Sequence, residues 1–329
     1  MKRWLRYGLF SLLGLLLVLA ISLSLLLGTQ GGSRWLLAQV PGLQVDDFNG
    51  RLGVSWNATQ LRWQQGENSV QVMAPRLDWS PACLLRLTLC IEQLHSGPIS
   101  LVFPDDKQPS SEPFSLPDLS LPLTLQLGQV HIESLQLNGV EQLQGLQLAA
   151  RWTAQGIQID NLSLHNADLQ VALQGQVQTS GNWPLQLSGQ LQLPAPEQQA
   201  WPVALQLNGE LRERVQLTAS SSGYLHGELT GWLQPLAEHL PARLRLQVAA
   251  FKASTALPDS LNLEQLELNA QGDLQAGYEV VGSASLPATE GPIALALAGL
   301  LKADGAAISN LSLTAESEQQ VQLSGELNW

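Results

Sequence analysis

Charge is scarce in this chain of 329 residues. Lys, Arg, Asp and Glu make up 13% of it, with 16 basic residues against 28 acidic ones. The net charge of -12 repels phosphate backbones and argues against nucleic acid as a partner. It equally disfavours a chain lying flat on an anionic lipid surface. Cysteine is nearly missing: Cys83 and Cys90 are the two present, too few for a disulfide-dense mini-domain or a Cys-rich zinc module. The histidines (His95, His131, His165, His226 and His239) are scattered, with no partner at metal-ligand spacing. No Gly-x-Ser-x-Gly, phosphate loop or Gly-x-Gly-x-x-Gly occurs. Asp105 and Asp106 are adjacent, but they sit in a Pro-rich stretch and read as a solvated charge pair. No catalytic, cofactor-binding or metal residue can therefore be nominated. An enzyme is not expected, nor is a cofactor.

What the chain does have begins with an uncharged apolar run over residues 8–28, preceded by Lys2, Arg3 and Arg6. About 20 helical apolar residues span a bilayer core. The run is longer than a signal-peptide core of roughly 7–15 residues, and its exit offers no Ala-x-Ala cleavage site. It predicts an uncleaved single-pass anchor. Cations flank its N-terminal side, so the N-terminus is expected in the cytoplasm and the bulk of the chain across the membrane. Residues 33–40 then predict a short amphipathic helix capped by Ser33 and stopped by Pro41 and Gly42.

From Leu43 the hydrophobic period changes to two. Leu123, Leu125 and Leu127 alternate with polar residues, as do Leu135 and Leu137, Leu162 and Leu164, Leu185 and Leu187, Leu205 and Leu207, and Leu244 and Leu246. Apolar residues at every second position place one face of a strand in oil and the other in water. Helical i, i+3, i+4 stripes do not persist beyond Val40. Weak repeats support stacked strands: Trp183-Pro184 with Gly189 is echoed by Trp201-Pro202 with Gly209, and by Pro292 with Gly299. Glycines such as Gly189, Gly209 and Gly231 read as bends or bulges. The Pro- and Ser-rich stretch of residues 104–122 reads as a linker. The organisation expected is an anchor over 1–30, a membrane-proximal helix with first strands over 31–103, the insert over 104–122, and repetitive strands over 123–329.

Several of these features resemble the TamB family, inner-membrane subunits of the translocation and assembly module, within the wider AsmA-like group. The resemblance is carried by the uncleaved anchor, Val40-Pro41-Gly42-Leu43, Asn49-Gly50-Arg51-Leu52, and Leu77-Asp78-Trp79 followed by Cys83 and Cys90. It continues in the acidic Pro-rich insert leading to Leu116-Pro117-Asp118-Leu119, and in the Leu-rich strands. It implies a mainly β fold: a transmembrane helix, then an elongated, curved, repetitive β-sheet forming an apolar groove, with few short helices. It also implies an inner-membrane protein with its bulk in the periplasm, facing an Omp85-family outer-membrane barrel, TamA-like. Outer-membrane protein and autotransporter assembly, protein secretion and lipid transport between the membranes are the associated roles. Members of the family are longer than this chain, and the region that meets the barrel is expected beyond Trp329.

In an oxidising periplasm Cys83 and Cys90 are a disulfide candidate; the alternative is two separate small apolar residues. The tryptophans (Trp56, Trp63, Trp79, Trp152, Trp183, Trp201 and Trp232) suit either a groove rim or plain core and edge filling. Leu125, Leu137, Leu164, Leu187, Leu207 and Leu246 are the candidates for lining a groove that receives phospholipid acyl chains, provided no bulge shifts the alternation. Two rivals stand beside that reading: a scaffold binding client β-strands at its sheet edges without conducting lipid, and a closed structural rod.

Overall fold

The structure is a computed structural model. It describes residues 14, 18, 21–103, 116–166, 169–254, 256–315 and 319–329. The expected anchor, with its flanking Lys2, Arg3 and Arg6, lies largely outside these residues. Among the described residues no helix is long and apolar enough to cross a membrane. The chain is mainly β: among the described residues, 21 strands belong to one sheet by hydrogen bonding, with one α-helix beyond the helical residues 21–28 and a few short 3₁₀ turns. Contacts divide it into two units. The first holds Met1–Gln108, Leu121–Ala154 and Asp160–Asn166, the second Pro109–Ser120, Gln155–Ile159 and Ala167–Trp329.

The first unit opens with helix α1 (Gln30–Ala38). Its N-cap is Thr29, not the expected Ser33: Thr29 is extended and its hydroxyl accepts from Gly32 N at 3.1 Å. Gly31 and Gly32 form part of the first turn. Gly32 packs so closely on the Leu26 backbone that a Cβ there would lie 2.6 Å from its Cα. Ser33 is fully buried and its hydroxyl instead accepts from Leu52 N at 3.0 Å. Strands β1 (Leu43–Asp46), β2 (Asn49–Arg51), β3 (Ser55–Asn57), β4 (Gln60–Gln65), β5 (Asn68–Met73) and β6 (Arg76–Ser80) pair antiparallel as broken hairpins. Asp47 and Ala74 take left-handed backbone angles at two of the breaks.

A 3₁₀ turn, Pro81–Arg86, leads into β7 (Thr88–Val102), which pairs with both β5 and β6. Strand β8 (Thr124–Leu137) then pairs parallel to β7, and β9 (Val140–Thr153) antiparallel to β8. A parallel pair forces the chain to return along the strand before pairing, which takes a dozen or more residues. For the 14 residues of β8 the return is roughly 45 Å. The stretch between Val102 and Thr124 is long enough for that return; most of the expected Pro-rich insert, residues 104–115, lies outside the described residues.

Strand β10 (Gly156–His165) is divided between the units. The second unit continues as an antiparallel meander: β11 (Gln170–Val177), β12 (Pro184–Leu193), β13 (Trp201–Glu210), β14 (Val215–Ser221), β15 (Gly227–Leu233), β16 (Ala242–Phe251), β17 (Leu263–Asp273), β18 (Gly277–Leu286), β19 (Ile293–Lys302), β20 (Gly305–Thr314) and β21 (Gln320–Asn328). From β12 to β20, each strand packs against the one before and the one after. The end of the insert is tied to this unit: Leu119 N and Thr179 Oγ1 exchange bonds with the partner carbonyls at 2.8 and 2.7 Å, and Arg212 reaches the Leu116 carbonyl and the Asp118 carboxylate.

Candidate functional site

The side chains that share a face follow from cross-strand register, because directly paired residues point the same way. In the second unit one row can be followed through eleven strands: Leu173, Gly189, Leu205, Ala219, Leu229, Leu246, Leu268, Gly282, Leu297, Leu311 and Leu323. Every member is apolar or glycine. At about 4.8 Å per strand the row runs for roughly 45–50 Å. The neighbouring row has the same character, with Leu187 opposite Leu207, then Leu217, Gly231, Leu244, Ala270 and Val280. The intervening positions form the other face and are mostly polar: Gln190, Ala204, Ser220, Glu228, Gln247 and Glu267 lie in one row. There Arg245 pairs with Glu267 at 2.9 Å. Asn269 and then Arg245 hold the Glu267 carboxyl below its ordinary value.

Within the second unit no element packs across the apolar face among the described residues. Its leucines from Leu173 to Leu311 are half-buried by their own neighbours, Leu323 on the last strand is exposed, and full burial is reached at flanking positions such as Val215 and Val248, each 3% exposed. Glycines set its relief. In the antiparallel repeats a glycine of one strand falls opposite a leucine of the next: Leu173 and Leu205 flank Gly189, and Leu217 and Leu244 flank Gly231. These glycines sit in unbroken register and are not the bulges the sequence suggests. A Cβ at Gly189 would lie 2.4 Å from Leu173 Cδ2, so the leucine occupies the space above the glycine.

The groove candidates are divided by this geometry. Leu187, Leu207 and Leu246 share the apolar face of the second unit. Leu125 belongs to the first unit, where it lies between Leu89 and Trp152, on the side that also carries Trp56, Leu77, Trp79, Ile91 and Leu127. Leu137 does not share that side. A bulge between Leu127 and Val130 shifts the alternation of β8 by one residue, so Leu137 points oppositely, with Leu101 and Val140. Leu164 is half-buried on β10.

The tryptophans form no common box. Trp56, Trp79 and Trp152 line the first unit's apolar side. Trp183 is buried before β12, and Trp232 lies on the polar side under Arg214, 4.0 Å from its ring centre. Trp201, Tyr224 and Phe251 meet edge to face at 5.3 and 5.4 Å, a ridge with no warning in the strand pattern because Tyr224 lies in a turn. Cys83 and Cys90 are joined, with Sγ atoms 2.16 Å and Cα atoms 6.0 Å apart. Among the described residues no group of three or more His, Cys, Asp or Glu is placed to hold a metal ion.

These features define a repetitive β-sheet protein whose second unit has one face apolar from strand to strand. The sequence profile of the TamB N-terminal domain matches residues 18–115 and 112–329. The chain belongs to that family. No curated protein and no solved structure matches it.

Proposed function

We propose that this chain carries phospholipid acyl chains along its apolar face between the inner and outer membranes, as part of a translocation and assembly module that supports outer-membrane protein assembly. The observation that carries this reading is the unbroken apolar row from Leu173 to Leu323, with no other element packed over it in its unit among the described residues. A sheet face of this kind must be covered by another layer or by a ligand. An acyl chain of about 16 methylenes costs roughly 12 kcal/mol to expose to water, at about 0.8 per group. A continuous apolar lining removes most of that barrier, and glycines set among the leucines give it relief without polar groups that would hold a head group in place. The N-terminal apolar run anchors the chain in the inner membrane, with the sheet on the periplasmic side. An Omp85-family, TamA-like barrel is the outer-membrane partner this reading proposes.

Replacing Leu207 and Leu246 together by Asp tests the reading. Both are partly exposed on the apolar face, so the strand spectrum by circular dichroism should persist while co-purifying phospholipid and vesicle-to-vesicle lipid transfer are lost. Transfer at the unsubstituted rate would overturn it. Crosslinks from strand edges to nascent barrel proteins, with transfer unaffected, would favour strand addition at the sheet edges instead.

A further inference from the structure

The link between β6 and β7 presents three leucines that the apolar sheet face does not use. Leu84, Leu85 and Leu87 are 43%, 91% and 70% exposed, with exposed Arg86 among them. Contiguous exposed apolar side chains mark a surface that meets something apolar. Their exposure is built in. Cys83 is tied to Cys90, and the Leu87 carbonyl accepts from Thr124 N at 2.9 Å, so both ends of the tip are fixed.

The position of the tip identifies its partner. Trp79, just before the 3₁₀ turn, donates its indole N–H to the Leu52 carbonyl at 2.7 Å and its backbone N–H to the Val54 carbonyl at 2.9 Å. Between these two acceptors, Gly53 N donates to the Leu27 carbonyl at 2.9 Å. Leu27 is next to last in the helical residues 21–28, whose Ile21, Leu23 and Leu25 are exposed and apolar. The leucine tip therefore leaves the sheet at the turn where the apolar N-terminal segment enters it. A bilayer that receives one projection lies against the other.

We propose that Leu84, Leu85 and Leu87 form a second foothold in the membrane, inserted into the interface of the periplasmic leaflet with Arg86 at the level of the lipid phosphates. The proposal rests on the reading of the N-terminal run as an anchor. Apolar groups at such a surface reach about 5–10 Å into the boundary between head groups and acyl chains. The net negative charge does not oppose this, because the tip meets the lipid with a cation.

The test uses the full chain in nanodiscs of phosphatidylethanolamine and phosphatidylglycerol, with or without lipid bearing a nitroxide high on its acyl chain. An environment-sensitive fluorescent amino acid replaces, in turn, Leu85, Val18 in the N-terminal run, and Val140. Val140 pairs with Leu137 at the far end of β8 and is 62% exposed. Positions 85 and 18 should be quenched several-fold more than position 140. Quenching at 18 but not at 85 overturns the foothold, leaves the anchor standing, and makes a protein the better candidate for the tip. Quenching at neither position overturns both.

Discussion

Gly175 lies within β11 at φ +141, and a Cβ there would fall 2.1 Å from the Gln186 carbonyl oxygen across the strand pair. Gly209 repeats the arrangement at φ +136 against the Arg214 carbonyl oxygen. A side chain at either position meets both an unfavourable backbone angle and a backbone atom, so neither can be relieved by a rotamer change. Gly175→Ala should lower stability by about 1–3 kcal/mol, read as a lower urea midpoint with unchanged slope. A midpoint equal to that of the unsubstituted chain would show that the sheet relaxes freely there. At this scale the sequence is readable for leucine and misleading for glycine. Alternation with Gln and Ser announces which leucines share a face. A glycine between them has two meanings, a bulge or a regular position beneath a leucine, and only the partner strand decides. Thr29 and Ser33 show a similar ambiguity: both are good caps, and the choice depends on Gly32 fitting against Leu26, a contact the pattern does not contain.

At the scale of elements, the link from β6 to β7 shows what closure of a short loop contributes. Joining Cys83 to Cys90 restricts the unfolded chain, and for a loop of this size the gain is about 2 kcal/mol. Replacing both by Ser should reduce stability by about that much and loosen the leucine tip. Alkylation of the denatured, unreduced protein should leave both thiols unmodified. Two alkylated cysteines would show the pair to be separate. The elements themselves follow closely from the sequence, since the period of two places strands wherever it holds. What stays hidden is their direction. Nothing in the alternation distinguishes the parallel pairing of β7 with β8 from another hairpin, although the length of the Pro-rich insert is what permits it. The bulge after Leu127 is hidden for the same reason: one extra residue alters which face Leu137 occupies without changing its neighbours in sequence.

For the molecule as a whole, the distinction that counts is between a path and a set of separate binding places. Leu187 and Leu246 lie in adjacent rows of the same apolar face, four strands apart. If lipids pass along the strands in series, flux is limited by the worst step. Leu187→Asp alone, Leu246→Asp alone and the two together should then reduce transfer to nearly the same level. A buried or lipid-covered carboxylate without a partner costs several kcal/mol in either position, enough to dominate every other barrier on the path. If the face holds lipids at independent places, each change removes its own share and the logarithmic losses are not redundant. Sites this far apart with no shared partner ordinarily add. Non-additivity in transfer, with additive effects on unfolding, is therefore the expected signature of a conduit. Additive losses in transfer would place the lipids in separate sites and remove the reason for an apolar row that never breaks.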